Sequence, residues 1–132
     1  MTELMLGLLV LRSSQIEASL TFYRALGLAF AEEKHGSGPV HYSSRVGATV
    51  IEIYPGLVQE PLNYRGSGAT LLGFSVASLD AILDALKQID TPILTAPMVS
   101  AWGRRVVVQD PDGRAVELNE LVPSPRDNRS SE

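Results

Sequence analysis

Val50-Ile51-Glu52-Ile53-Tyr54 is the stretch that decides the fold, because the chain repeats it from position 115 as Ala115-Val116-Glu117-Leu118-Asn119. Each copy is a short apolar run with one glutamate at its centre, so Glu52 and Glu117 occupy equivalent places. A carboxylate in an apolar run is costly unless it is paired, hydrogen-bonded or facing a wet cavity. The repeat therefore predicts one site built from two similar halves.

The sequence around each copy predicts the same order of elements: a strand, a helix and three more strands. In the first half, apolar residues follow the helical period, Ser14-x-x-Glu17 predicts a capping box, and Gly27 is typical of a helix end. In the second half, Ser78 predicts the start of a helix that runs to about residue 88. Strands are predicted at 5–12, 28–33, 40–46, 49–54, 69–76, 92–96, 104–109 and 115–121.

We therefore predict an α+β protein of two tandem βαβββ modules, at about 4–55 and 69–121, which form an open barrel-like sheet around a central cavity. Neither half is long enough to bury a comfortable core alone, so we expect a single domain over residues 1–122. Residues 55–68 are predicted to be a linker with a hinge at Gly66-Ser67-Gly68. Residues 123–132 have no apolar anchor, which predicts a disordered tail.

Composition excludes several classes of function. The formal net charge is -4 and basic residues do not cluster beyond Arg104-Arg105, which argues against nucleic acid as a partner. The chain has no cysteine, so disulfides, cysteine-ligated zinc and thiol nucleophiles are excluded. Residues 4–11 are apolar but too short to span a bilayer and lack a basic flank. We expect a cytoplasmic protein with no membrane partner.

Strand alternation places six residues on the face of the sheet turned away from the helix of their own module. They are Leu8, Glu52, Tyr54, Leu71, Glu117 and Asn119. If the two sheets curve toward each other, these residues line a mostly apolar cavity with few polar groups. That composition is typical of a small-molecule site.

Motifs in both halves resemble those of a known superfamily. Residues 16–28 contain Phe22-Tyr23 followed by Leu26-Gly27, and the second half contains Trp102-Gly103 and then Asp110-Pro111-Asp112-Gly113. Together with the repeated strand, they are similar to the vicinal-oxygen-chelate superfamily, which contains glyoxalase I, extradiol dioxygenases, fosfomycin-resistance enzymes and bleomycin-resistance proteins. The resemblance covers nearly the whole chain, and it implies a scaffold on which unrelated activities are built.

The resemblance also implies where a metal would be held. The metal enzymes of the superfamily take ligands from the first and last strand of each module, commonly His or Gln in the first and Glu in the last. In this chain those positions are Leu8 and Glu52, then Leu71 and Glu117. Leucine has no lone pair to donate, so we expect no cofactor. The alternative is a hard divalent metal such as Mg²⁺ or Mn²⁺ held by the two glutamates.

Two further residues are candidates for the site. His41 belongs to the strand predicted to pair with that of Glu52, so it is either a catalytic base tuned by the carboxylate or a satisfied strand histidine. Trp102 is either a surface on which a ligand stacks or a core or interface aromatic. His35 lies beside Gly36 in a predicted turn, where we expect it to be solvated. Glu52 and Glu117 also have structural alternatives, exposure at the rim for the first and hydrogen bonds to the sheet or a dimer for the second.

Three functions remain open. The first is metal-independent binding of a small molecule, such as sequestration of an antibiotic or metabolite, with Leu8, Leu71, Tyr54, Trp102 and Asn119 contacting the ligand. The second is a lyase, isomerase or dioxygenase-type enzyme that uses Glu52 and Glu117 as acid and base or as hard-metal ligands, with His41 as a further candidate. The third is an interaction module whose concavity binds nothing. The resemblance further implies a homodimer. Whether its subunits exchange modules through the hinge is open.

Overall fold

The computed structural model describes residues 4–58 and 69–121, which belong to two compact units. The elements of the first are β1 (Leu8–Ser13), α1 (Ile16–Leu26), β2 (Ala31–Glu33), β3 (His41–Val46) and β4 (Thr49–Pro55). Those of the second are β5 (Leu72–Ser75), α2 (Leu79–Gln88), β6 (Ile93–Ser100), β7 (Gly103–Gln109) and β8 (Ala115–Leu121). The prediction of an α+β fold with two tandem βαβββ modules is confirmed. The predicted hinge and tail lie outside the described residues.

Each module forms one four-stranded sheet with the repeated strand in the interior. The strand orders are β1-β4-β3-β2 and β5-β8-β7-β6. The first strand of each module runs parallel to the repeated strand, with Val10 beside Glu52 and Gly73 beside Glu117. The two glutamates therefore hold equivalent positions, as the repeat predicts.

Alternation along the repeated strands separates a packed face from an open one. Ile51 and Ile53 are buried on the side of α1, as are Val116 and Leu118 in the second module. The intervening Glu52 and Glu117 are only partly buried, although Ala115, on the same face as Glu117, is 5% exposed. We call the face that carries the glutamates, turned away from the helix, the open face of each sheet.

The start of α1 differs from the predicted capping box. The N-cap residue is Gln15, whose side chain makes no capping hydrogen bond. The Ser13 hydroxyl instead accepts a hydrogen bond from the Gln15 N–H at 3.0 Å and lies 2.8 Å from the Ser19 hydroxyl. The capping-box prediction is wrong, because the N-cap is Gln15 and its N–H donates to Ser13 rather than to Glu17.

The end of α1 follows the sequence prediction. Gly27 has a φ of 113°, a left-handed conformation that glycine adopts without a steric penalty. The Gly27 N–H donates to the Arg24 carbonyl at 3.0 Å and the Leu28 N–H to the Tyr23 carbonyl at 3.2 Å. This pair of bonds is a Schellman motif, which fixes the direction in which the chain leaves the helix.

The start of α2 is held by two side chains. The Ser78 hydroxyl accepts from the Ala81 N–H at 3.2 Å, as predicted. In addition, Glu120 of β8 accepts from the Leu79 N–H at 2.7 Å. A carboxylate at this end also complements the helix dipole, so the pair ties α2 to its sheet.

The second sheet has an irregular edge at β6. The register of β6 against β7 shifts between Ile93 and Thr95 and again between Thr95 and Met98. Pro97 lies within the second shift.

Among the described residues, no helix is long and apolar enough to cross a membrane.

Candidate functional site

Glu52 occupies the centre of the open face of the first module. It lies between Val10 of β1 and Ser43 of β3, and its side chain is 18% exposed. Leu8, two residues before Val10 on the same face, is 55% exposed. The predicted neighbours Leu8 and Glu52 therefore share this face, one apolar and accessible, the other charged and half-buried.

His41 lies directly opposite Glu33 of β2, at the first residue of β3. The residue is 1% exposed. Its Nδ1 lies 3.3 Å from the Pro39 carbonyl oxygen, which can only accept, so Nδ1 carries a hydrogen. That bond fixes the ring orientation and turns Nε2 toward the carboxylates.

Three side chains lie close to the His41 ring: Glu33, His35 and Glu52. Together with His41 we call them the His41 cluster. Nε2 of His41 lies 3.3 Å from Glu33 Oε1 and 3.7 Å from Glu52 Oε2. Nε2 of His35 lies 3.9 Å from Glu33 Oε1. The buried Nε2 of His41 forms no hydrogen bond within the part of the chain that the structure describes. The predicted contact between His41 and Glu52 is thus present, together with two side chains that were not predicted.

Tyr54 packs against the same cluster. Its ring stacks on His41 with centroids 4.2 Å apart and an interplanar angle of 7°. The Arg12 guanidinium lies 4.9 Å from the Tyr54 centroid and comes from β1, on the other side of β4. Because both neighbours already contact the ring, a ligand would reach Tyr54 only at its edge or by displacing Arg12.

Glu117 in the second module is held by two neighbours. Arg105 Nη1 lies 3.3 Å from Glu117 Oε1, and the Asn119 side-chain amide donates to Oε2 at 3.0 Å. The Glu117 side chain is 21% exposed. The predicted pair Glu117 and Asn119 therefore forms one hydrogen-bonded unit on the open face, with Arg105 balancing its charge.

Leu71 and Trp102 are both accessible in the second module. Leu71 is 40% exposed and immediately precedes β5. Trp102 is 65% exposed in the turn between β6 and β7, where its backbone N–H donates to the Ser100 hydroxyl at 3.2 Å. Trp102 is therefore not a core aromatic of its module.

One tyrosine beside the cluster lies on the opposite face. Tyr42 pairs with Ile53, and its hydroxyl donates to Glu32 Oε1 at 3.3 Å. Desolvation, followed by the charge of Glu32, raises the pKa of the Tyr42 hydroxyl. Tyr42 therefore remains a neutral donor at physiological pH and does not reach the open face.

The residues at the metal positions implied by the resemblance do not fit a metal. Leu8 and Leu71 offer no donor atom, and Glu117 is already held by Arg105 and Asn119. A zinc or nickel site normally includes nitrogen donors, which these four positions lack. The side chains at these positions therefore do not suit the metal chemistry of the superfamily's enzymes.

The sequence profile of the Glyoxalase/Bleomycin resistance protein/Dioxygenase superfamily matches residues 6–118. The chain belongs to this superfamily. The resemblance of the helix and turn motifs is thereby confirmed. No curated protein matches the chain.

Several solved structures share the fold of this chain. A glyoxalase/dioxygenase from Nostoc punctiforme is 21% identical with a TM-score of 0.74, covering 89% of this chain and 91% of its own. TnmS3, described as an antibiotic binding protein from Streptomyces sp. CB03234, is 19% identical with a TM-score of 0.67, covering 92% and 99%. A glyoxylase/bleomycin resistance protein/dioxygenase domain from Frankia sp. EAN1pec is 18% identical with a TM-score of 0.63, covering 92% and 99%. At these identities the likeness shows the fold alone.

Glu33 and His35 are the cluster members that sequence reasoning missed. The sequence predicts a solvated His35, and its side chain is 75% exposed, yet its ring centroid lies 5.1 Å from that of His41. The signal was present in the sequence, because a turn at Gly36-Ser37-Gly38-Pro39 folds residues 33–35 back onto His41. Finding it required the register of β2 against β3.

Proposed function

We propose that this protein binds a small organic molecule on the open faces of its sheets without converting it, as an antibiotic- or metabolite-sequestering member of its superfamily. The observation that carries the proposal is the exposure of Leu8 and Leu71, at 55% and 40%. In both modules they replace the donor that the metal enzymes of the superfamily have at that position. Accessible apolar side chains beside few polar groups favour contact with an organic ligand.

The polar groups of the second module support binding more than proton transfer. Glu117 is neutralised by Arg105 and hydrogen-bonded by Asn119. Both carboxylate oxygens of Glu117 therefore already have a partner within their own module. The same groups remain able to accept hydrogen bonds from a ligand. TnmS3, which is described as antibiotic binding, has the same fold and supports the proposal to that extent.

Native mass spectrometry tests the proposal. EDTA-treated protein mixed with a panel of aromatic antibiotics that includes bleomycin should form a one-to-one complex from which the ligand is recovered with unchanged mass. Leu8→Asp and Leu71→Asp should each weaken that complex about tenfold or more, because about 1.4 kcal/mol of apolar contact is lost. Leu57→Asp is the matched control, because Leu57 is 89% exposed and lies outside the sheets. Equal effects of all three variants would contradict binding on the open faces.

The contact between His41 and Glu52 favours a second candidate, an acid–base enzyme of the lyase, isomerase or dioxygenase type. His41 Nε2 lies 3.7 Å from Glu52 Oε2, within reach of a proton relay. On this hypothesis Glu52→Gln abolishes turnover of any converted panel compound by about 100-fold or more while the circular dichroism spectrum stays unchanged. Recovery of every bound compound unchanged by the wild-type protein argues against the enzyme.

We also propose that the protein is a cytoplasmic homodimer. Several large apolar side chains near the start of the chain are exposed, among them Leu4, Met5 and Leu6. Exposed apolar groups that lie close together mark interaction surfaces. Light scattering should then give about twice the 14.2 kDa of one chain.

A further inference from the structure

The hydrogen positions at His41 leave an electrostatic conflict in the His41 cluster. Because Nδ1 donates to the Pro39 carbonyl, a neutral His41 has its lone pair on Nε2. That lone pair would face the carboxylate oxygens of Glu33 at 3.3 Å and Glu52 at 3.7 Å. Three electron-rich atoms at such distances repel one another unless a cation lies among them.

The burial of His41 makes this conflict costly. The side chain is 1% exposed, and Nε2 forms no hydrogen bond to any described residue. Bulk solvent therefore does not reach the nitrogen as it would at a surface. The cation is either a proton on Nε2 or a metal ion.

We propose that Glu33, His35 and His41 bind one divalent transition metal of the zinc class. Glu33 Oε1 and a ring nitrogen of each histidine all lie within 4.8 Å of one another. Two imidazoles and one carboxylate are a ligand set that suits zinc, with a fourth position left for water. Glu52, beside His41, is placed to accept a hydrogen bond from that water.

The distances in the cluster suit tetrahedral coordination with small side-chain adjustments. Zinc bonds of about 2.0–2.1 Å to nitrogen and oxygen place tetrahedral ligand atoms about 3.3 Å apart. Glu33 Oε1 lies 3.3 Å from Nε2 of His41 and 3.9 Å from Nε2 of His35, and the ligand nitrogens of the two histidines lie within 4.8 Å of each other. His35 is 75% exposed on its hairpin turn, so its ring is free of packing constraints that would prevent a shift of this size.

The surroundings of His41 also match those of a metal ligand. Metal-binding histidines usually donate their second ring N–H to a carbonyl or carboxylate, which fixes the tautomer and orients the ring. In His41 the second ring N–H donates to the Pro39 carbonyl, and the Tyr54 ring stacks on the imidazole and limits its rotation. Glu33, His35 and His41 all lie outside the metal positions of the superfamily, and their zinc binding does not require the ligand proposed above.

Zinc titration of the full-length, untagged protein tests the proposal. After EDTA treatment and dialysis, isothermal titration with ZnCl₂ should give one site per chain. His35→Gln and Glu33→Gln should each weaken the dissociation constant about 100-fold or more, because loss of a ligand exceeds the 10- to 100-fold cost of losing a supporting group. Glu32→Gln is the matched control, since Glu32 precedes Glu33 in β2 and faces the opposite side. It should bind zinc as the wild type does.

A second readout separates a metal from a proton. Co²⁺ added in place of zinc should give visible absorption typical of tetrahedral coordination, lost in His35→Gln. Nitrogen NMR should show His41 Nε2 without a proton at one equivalent of zinc. Absence of zinc binding, equal affinity in His35→Gln and wild type, or a proton retained on Nε2 would each overturn the proposal in favour of an imidazolium paired with Glu33 and Glu52.

Discussion

Two aspartates each form an ion pair with a different arginine at the same distance, but one aspartate is buried and the other is exposed. Asp110 lies 3.0 Å from Arg114, and its side chain is fully buried; Asp80 lies 3.0 Å from Arg104, and its side chain is 79% exposed. Asp110 also accepts from the backbone N–H groups of Asp112 at 3.0 Å and Arg114 at 2.9 Å. The motif that helps to identify the superfamily is therefore a structural turn in which the buried Asp110 carboxylate accepts two backbone hydrogen bonds.

Replacing Asp110 should cost far more stability than replacing Asp80. Asp110→Ala leaves two backbone N–H groups without this acceptor and removes the nearer of the two carboxylates beside the Arg114 guanidinium, so we expect the free energy of unfolding to fall by about 3 kcal/mol. Asp80→Ala removes a solvent-screened pair and should cost less than about 1 kcal/mol. Urea denaturation of the two variants measures both values. Similar losses for both would mean that the turn does not depend on its buried carboxylate.

At the scale of elements, two glycines in the second sheet differ in what surrounds them. Gly103 begins β7 with a φ of 141°, and a methyl group there would overlap the Glu120 carbonyl oxygen. Gly73 of β5 has open space, because a methyl group would lie 3.8 Å from its nearest neighbour, Glu117. The glycine after Trp102 is thus required by close approach of β7 and β8, whereas that of β5 is not.

Alanine substitution should separate these two glycines. Gly103→Ala forces an unfavourable backbone conformation that costs about 1–3 kcal/mol, and the overlap with β8 adds to it. Gly73→Ala should change the free energy of unfolding by less than about 1 kcal/mol. Thermal unfolding of both variants provides the comparison. A Gly103→Ala protein as stable as Gly73→Ala would show that β7 and β8 separate easily.

At the scale of the whole molecule, the two modules could be predicted from the sequence more completely than the candidate site. Period-2 alternation in the repeated strand was enough to place Ile53 in the core and Glu52 on the open face, because one face of an interior strand must be buried. His35 could not be placed in the same way. Its contact with His41 depends on the pairing of the short β2 with β3, and a three-residue strand carries little periodic signal. The Ser14 capping prediction failed for a similar reason, since the burial of Ser13 is a tertiary property.

The irregular pairing of β6 bears on whether the edge of the second sheet can recruit another chain. An edge strand that exposes Ile93, Met98 and Val99 would invite another chain to add a strand and begin an aggregate. Pro97 has no N–H to offer, and the two register shifts bend the strand away from the flat geometry that such growth requires. The register shifts thus protect an apolar edge strand, because an incoming strand would not find a continuous series of backbone hydrogen-bond partners along β6.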